Sequence, residues 1–321
     1  MRFMQKLLII KTSSLGDVIH CLPVINDIRT YFPNVQIDWV AEESFADIPR
    51  MHAGVNQIFT VAMRRWKKHI FSQNTWAEIS DLKKLIKQNQ YDAIIDTQGL
   101  LKSALITHQA NGTKYGYDKV SIREPIASWF YDKTYTISYQ QHAVTRNRTL
   151  AAMSLAYAIP TNAPDYGVTA PKCELPLPNQ FVIALHGTSR DSKLWPVANW
   201  VDLGRELAKK NLDLVLPWAT EAELARANHI AKQLANVTML PKLSIAHIAG
   251  VIAKAQAAVG VDTGLSHLAT ALNIPTTAIY TDTNPVLTGV MGGAVKPAVN
   301  LGGIAQIPTV EKVLDTLKVM I

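Results

Sequence analysis

The chain has 321 residues, 48% of them hydrophobic and 18% charged, and its 32 Lys and Arg outnumber 25 Asp and Glu for a formal charge of +7. This length and apolar content exclude a disordered chain and suit one large or two medium α/β domains, while only two cysteines, Cys21 and Cys173, exclude a disulfide scaffold and point to a reducing compartment. The positive excess calls for an anionic partner: nucleic acid, a membrane, or a phosphorylated small molecule.

In chain order, the apolar run Leu7–Ile10 ends at Lys11. It is too short for a signal peptide and reads instead as the core of a first strand, Lys6–Ile10. A turn at Thr12–Gly16 and a helix from about Asp17 follow. Val35–Ala41, Gln57–Val61 and Tyr91–Asp96 read as further strands, with a helix at Trp76–Gln90. Between Pro160 and Pro178 lie five of the sixteen prolines and little periodicity, the texture of an extended linker. Strands are then predicted at Phe181–Leu185, Leu212–Leu216, Ala257–Val261 and Thr276–Tyr280, and helices at Trp195–Lys210, Glu221–Ala235 and Gly264–Leu272. Thr309–Met320 has the pattern of an amphipathic helix that suits either domain. No stretch approaches the apolar length of a membrane-spanning helix; the longest candidate, Ala249–Val261, carries Lys254 and Gln256. Strand–helix alternation on both sides of the linker predicts two doubly wound parallel sheets, with domains at 1–165 and 166–321 and a cleft between them. The N-terminal part, residues 1–170, carries 19 Lys and Arg against 14 Asp and Glu, net +5, leaving +2 for the rest. Its excess concentrates in Arg64-Arg65-Trp66-Lys67-Lys68, which reads either as a solvated surface segment or as an anion-binding loop after a strand.

Three post-strand loops carry chemistry-bearing residues, and in an open parallel sheet such loops face the ligand crevice. The first, Thr12-Ser13-Ser14-Leu15-Gly16-Asp17, lacks a G-x-G-x-x-G fingerprint. It offers hydroxyls, one glycine, and a carboxylate that is either a helix cap or a base. The second, His186-Gly187-Thr188-Ser189-Arg190-Asp191-Ser192-Lys193, combines hydroxyl donors with an ammonium suited to phosphate oxygens. In the third, Asp262-Thr263-Gly264-Leu265-Ser266-His267, Thr263 and Gly264 open a helix whose free N–H groups favour an anion. An Asp-capped helix with a core histidine is the plainer reading of that motif alone. Two such loops on one sheet edge read together as a pyrophosphate site and hence a nucleotide donor.

Lys11-Thr12-Ser13-Ser14-Leu15-Gly16-Asp17-Val18-Ile19-His20, followed by Leu22-Pro23, resembles the opening of bacterial lipopolysaccharide heptosyltransferases, and Val261–Leu268 resembles their second signature. Phe45–Pro49, Arg64–Lys68, Asp96–Leu100, Arg123-Glu124-Pro125 and Lys193–Pro196 fit the heptosyltransferase I branch in particular, in the same order over about residues 6–285. The resemblance fades beyond Asn284 and does not extend clearly through Val290–Leu301.

The resemblance implies a GT-B architecture of two Rossmann-like domains and a metal-independent, inverting glycosyltransferase without a cofactor. It implies transfer of L-glycero-D-manno-heptose from ADP-heptose to the first Kdo of Kdo2-lipid A, by a peripheral enzyme on the cytoplasmic face of the inner membrane. By position, Asp17 matches the general base. Thr188, Ser189, Lys193, Glu223, Leu243, Asp262, Thr263, Gly264 and His267 match the ADP-heptose site, with Ser189 and Leu243 standing where a threonine and a methionine are commoner. Ser13, Ser14, Gly16, Arg64, Arg65, Lys68, Lys102 and Arg123 match the acceptor's anionic groups. A heptosyltransferase for a later core sugar, a GT-B-like nucleotide-sugar 2-epimerase and a non-enzymatic lipopolysaccharide-binding module are the competing readings. No nucleic-acid recognition motif occurs, and with no obvious exposed apolar helix face a monomer is expected.

Overall fold

The computed structural model describes residues 4–320 and divides into two compact units that meet in sequence between Val168 and Thr169. The first holds β1 (Lys6–Ile10), α1 (Leu15–Cys21), α2 (Pro23–Tyr31), β2 (Gln36–Glu42), α3 (Asp47–Arg50), β3 (Val55–Val61), α4 (Met63–Lys68), α5 (Gln73–Lys87), β4 (Ala93–Asp96), α6 (Leu101–Gln109), β5 (Lys114–Tyr117), β6 (Lys133–Tyr135) and α7 (Ala143–Leu155). The second holds β7 (Phe181–Leu185), α8 (Val197–Ala208), β8 (Asp213–Leu216), α9 (Glu221–Ala231), β9 (Val237–Met239), α10 (Ile245–Ile252), β10 (Ala257–Val261), α11 (Gly264–Ala271), β11 (Thr276–Tyr280), α12 (Pro285–Thr288), β12 (Ala298–Gly302) and α13 (Val310–Met320).

Each unit is built on a six-stranded parallel sheet, ordered β3-β2-β1-β4-β5-β6 in the first and β12-β11-β10-β7-β8-β9 in the second. Counted from its own first strand, the second sheet has the same order as the first, the doubly wound Rossmann arrangement. Strands β4, β7, β10 and β11 are buried at every residue, as parallel strands covered by helices on both faces must be. In each sheet the order reverses between the first and fourth strands, at β1/β4 and at β7/β10, each directly hydrogen-bonded. Ligand crevices of open α/β sheets form at such reversals.

The proline-rich stretch is not a free tether. Its first part is fastened to the first unit: Arg148, buried against Asp27 at 2.6 Å, donates to the Asn162 carbonyl, and Asn26 donates to Asp165. Beyond Val168, Lys254 donates to the Cys173 carbonyl within the second unit. The C-terminal helix α13 packs on the second unit, with Val313 and Leu317 in the core formed by β7, β8, β10 and α8. The segment after Asn284 supplies β12, which adds an edge strand parallel to β11.

Candidate functional site

At the β1/β4 reversal the loop after β1 is held from below by the loop after β4. Gln98 Oε1 accepts from the Thr12 and Ser13 amides at 3.1 and 3.0 Å, and Lys102 Nζ donates to Ser13 Oγ at 2.9 Å. Lys11, buried, donates to the Thr97 carbonyl at 2.8 Å, and Trp39 donates its indole N–H to the Lys11 carbonyl. Asp96 closes the base of this arrangement. Its Oδ1 accepts from the Gln98 and Gly99 amides, and its Oδ2 from the Tyr131 and Thr107 hydroxyls. Burial pushes the Asp96 carboxyl up, and the Tyr131 hydroxyl and the Gly99 and Gln98 amides oppose the shift. Cys21, beside Thr97, is pushed up to about 11 by burial and is a protonated thiol at neutral pH.

Ser14, not Asp17, is the cap of α1; Asp17 is the third residue of the helix. The Ser14 amide and hydroxyl donate to Asp17 Oδ2 at 2.7 and 2.9 Å. Both bonds fall on one oxygen, so Oδ1 remains for a proton from solvent or substrate, and Asp17 is half-buried.

Arg64–Lys68 forms the helix α4 rather than a loop. The reason lies in β2: the Glu42 carboxylate accepts from the Met63 and Arg64 amides at 3.3 and 3.2 Å and caps that helix from outside. Arg64 lies exposed with its guanidinium 5.0 Å from the Phe45 ring centre. Arg65 is engaged instead by Glu43 and Glu78, each at 3.0 Å, so it ties α4 to α5 and is no open cation. Lys68 and Arg123 are exposed.

In the second unit the loop after β7 joins the loop after β10. Thr188 Oγ1 donates to the Asp262 carbonyl at 2.8 Å, while Asp262 Oδ2 receives Lys193 Nζ and the Thr283 hydroxyl, both at 2.6 Å. An ammonium has three donors, so this pair leaves Lys193 with N–H groups for another anion. The Thr263 side chain makes no cap bond, which leaves the first N–H groups of α11 open beside Gly264, and His267 is buried one turn further on. Glu223 Oε2 accepts from the Ala219 and Thr220 amides at 2.7 and 3.1 Å, and its Oε1 abuts Gly187, where a Cβ would lie 2.6 Å away. Ser189 is exposed on the same loop; Leu243 is half-buried between β9 and α10. Gln98, Asp96 and Thr283 did not stand out as site residues in the sequence. A carboxylate ending a wholly buried strand was the available signal for Asp96.

The family model for glycosyltransferase family 9 (heptosyltransferase) matches residues 79–316. The chain belongs to glycosyltransferase family 9. Its similarity to the Escherichia coli protein "Lipopolysaccharide heptosyltransferase 1" is 44% identity over 292 residues, 90% of this chain and 91% of that one. The solved structure "E. coli heptosyltransferase WaaC with ADP" superposes with a TM-score of 0.90 at 39% identity, covering 99% of this chain and 100% of that one. A second, "E. coli heptosyltransferase WaaC with ADP-2-deoxy-2-fluoro heptose", gives 0.87 at 38%, covering 98% and 99%. This family 9 chain is therefore a glycosyltransferase, with the GT-B pair of Rossmann-like folds.

Proposed function

We propose that this transferase moves L-glycero-D-manno-heptose from ADP-heptose onto the first Kdo of Kdo2-lipid A, acting as a peripheral protein on the cytoplasmic face of the inner membrane. The observation that carries the reading is that one chain holds a half-buried carboxylate at one sheet reversal and a lysine with an uncapped helix N-terminus at the other. Attack on an anomeric carbon with a nucleoside diphosphate leaving needs these two things: a base for the acceptor proton and positive potential for the developing phosphate charge. The acceptor hydroxyl gives its proton to Asp17 while its oxygen bonds the anomeric carbon. The bond from that carbon to the ADP oxygen breaks on the opposite face, inverting the centre.

In this reading Lys193, held at Asp262, and the amides at Thr263–Gly264 receive the pyrophosphate, with Thr188, Ser189 and His267 around it. Glu223 Oε1 and Leu243 meet the nucleoside. Ser13, Ser14, Gly16, Arg64, Lys68, Lys102 and Arg123 meet the carboxylates and phosphates of the acceptor, and Arg65 holds α4 in place for them. No helix among the described residues is long and apolar enough to cross a membrane. Incubating the protein with ADP-heptose and Kdo2-lipid A is expected to give heptosylated lipid and ADP. Isomerised ADP-heptose with no lipid product would instead establish the epimerase reading.

A further inference from the structure

Between α4 and α5 the chain turns back at His69-Ile70-Phe71-Ser72, closed by the Ser72 amide donating to the His69 carbonyl at 3.0 Å. Glycine, proline, asparagine and aspartate populate the tips of such turns because the tip is wet and tightly bent. Here the tip residues are Ile70, 50% exposed, and Phe71, 99% exposed. The scaffold behind them is tied down: Trp76 donates its indole N–H to the Ile70 carbonyl at 2.8 Å, and Trp66 donates to Glu78, which also holds Arg65. A firmly braced turn that presents an aromatic ring wholly to water departs from local sequence rules, the mark of a surface made for contact. From Met63 to Gln73 the segment carries Arg64, Arg65, Lys67 and Lys68 and no acidic residue. Trp76, 55% exposed, adds an amphipathic ring at its base.

We infer that this turn is a membrane foot: Ile70 and Phe71 enter the headgroup region of an anionic phospholipid bilayer while Lys67 and His69 lie against lipid phosphates. An apolar tip beneath a collar of cations is the pattern that binds a bilayer surface without crossing it. The charge complementarity selects anionic lipid over an apolar protein groove, which would leave the lysines unmatched. The inference rests on the proposed function only for its purpose, bringing the acceptor site to a lipid substrate.

Cys21 and Cys173 are both buried, so in Phe71→Cys a thiol-reactive NBD dye labels position 71 selectively. On vesicles of equimolar phosphatidylglycerol and phosphatidylethanolamine, without lipid A, its emission is expected to brighten and shift to the blue. The same dye on Asp202→Cys, exposed on α8, stays unchanged. In sedimentation with these vesicles, Ile70→Ser/Phe71→Ser is expected to lose about tenfold of its partition. Lys67→Glu loses part of it, and salt weakens the wild type. Transfer to a detergent-dispersed acceptor stays at the wild-type rate in both of these variants. A wild type that fails to sediment overturns the inference, as does bound protein whose dye at position 71 does not respond. Vesicle binding through this turn with no heptose transferred to the detergent-dispersed acceptor would sink the proposed heptose transfer and leave the foot standing.

Discussion

Asp17 shares a single carboxylate oxygen with two donors of Ser14, so one residue serves as the helix-start acceptor and keeps a second oxygen for chemistry. Replacing it separates the two roles. Asp17→Ala is expected to lower kcat about 10²-fold or more while ADP affinity stays near wild type, because a lost base acts on the reacting hydroxyl and leaves the donor site untouched. Near-wild-type turnover would reduce Asp17 to a capping-box carboxylate. In the second unit, Lys193 is paired with Asp262 at 2.6 Å. In the proposed donor site its effect on a nucleotide would therefore come through directed N–H bonds more than through net charge. Lys193→Met is expected to weaken ADP binding about tenfold or more in calorimetry, the scale of one hydrogen bond to a charged group. An unchanged ADP affinity would make Lys193 a partner of Asp262 alone.

Among the elements, α4 shows why a basic run was hard to interpret from sequence. Arg64-Arg65-Trp66-Lys67-Lys68 has no acidic residue to start a helix, and the cap comes from Glu42 at the end of β2. Long-range capping of this kind has no local signature. Once helical, the run divides its labour: Arg65 braces α5, while Arg64 and Lys68 remain exposed. Arg64→Ala/Lys68→Ala is expected to raise the acceptor KM about tenfold at low ionic strength, with the gap to wild type narrowing as salt rises. Initial-rate measurements across salt concentrations check this, and parallel curves would return α4 to the role of a solvated surface helix. The strands β6 and β9 escaped the sequence for another reason. They span three residues each, too few to display any periodicity.

Across the whole molecule, each unit buries a histidine that burial holds down to about 4: His52 in the first and His186 in the second. At His52, Asp165 opposes the shift and Arg29 adds to it; at His186, Arg226 adds to it. Both imidazoles are neutral when folded, whereas the unfolded chain takes up protons below about 6.5. Stability is thus fully present above that value and is lost as pH falls toward 4. From pH 6.5 to 5 each histidine removes roughly 2 kcal/mol of stability. The urea midpoint is expected to fall between pH 7 and pH 5, and to fall less in His52→Gln. Since His52 lies against Gly167 and pairs with Val168 in an isolated bridge, its protonation is expected to loosen the middle of the proline-rich segment. Identical midpoints at the two pH values would show that neither histidine is held neutral.

The sequence by itself determined the two doubly wound sheets and the place of their reactive loops. Short apolar runs bounded by turn residues, such as Leu7–Ile10 and Ala257–Val261, read as strands covered on both faces, and a loop that follows one emerges at the sheet's carboxyl edge. The shared motifs around Asp17 and Asp262 were readable for the same reason, since each is a local string. Only the tertiary structure decided which strands lie side by side, and therefore that the loop after β1 rests on Gln98 and Lys102 and the loop after β7 on Asp262. It also decided which cations are already paired, Arg65 among them, and that the prolines near Val168 are docked rather than free. Those outcomes depend on partners many residues away, brought together by burial of the sheets, and no local pattern of residues records them.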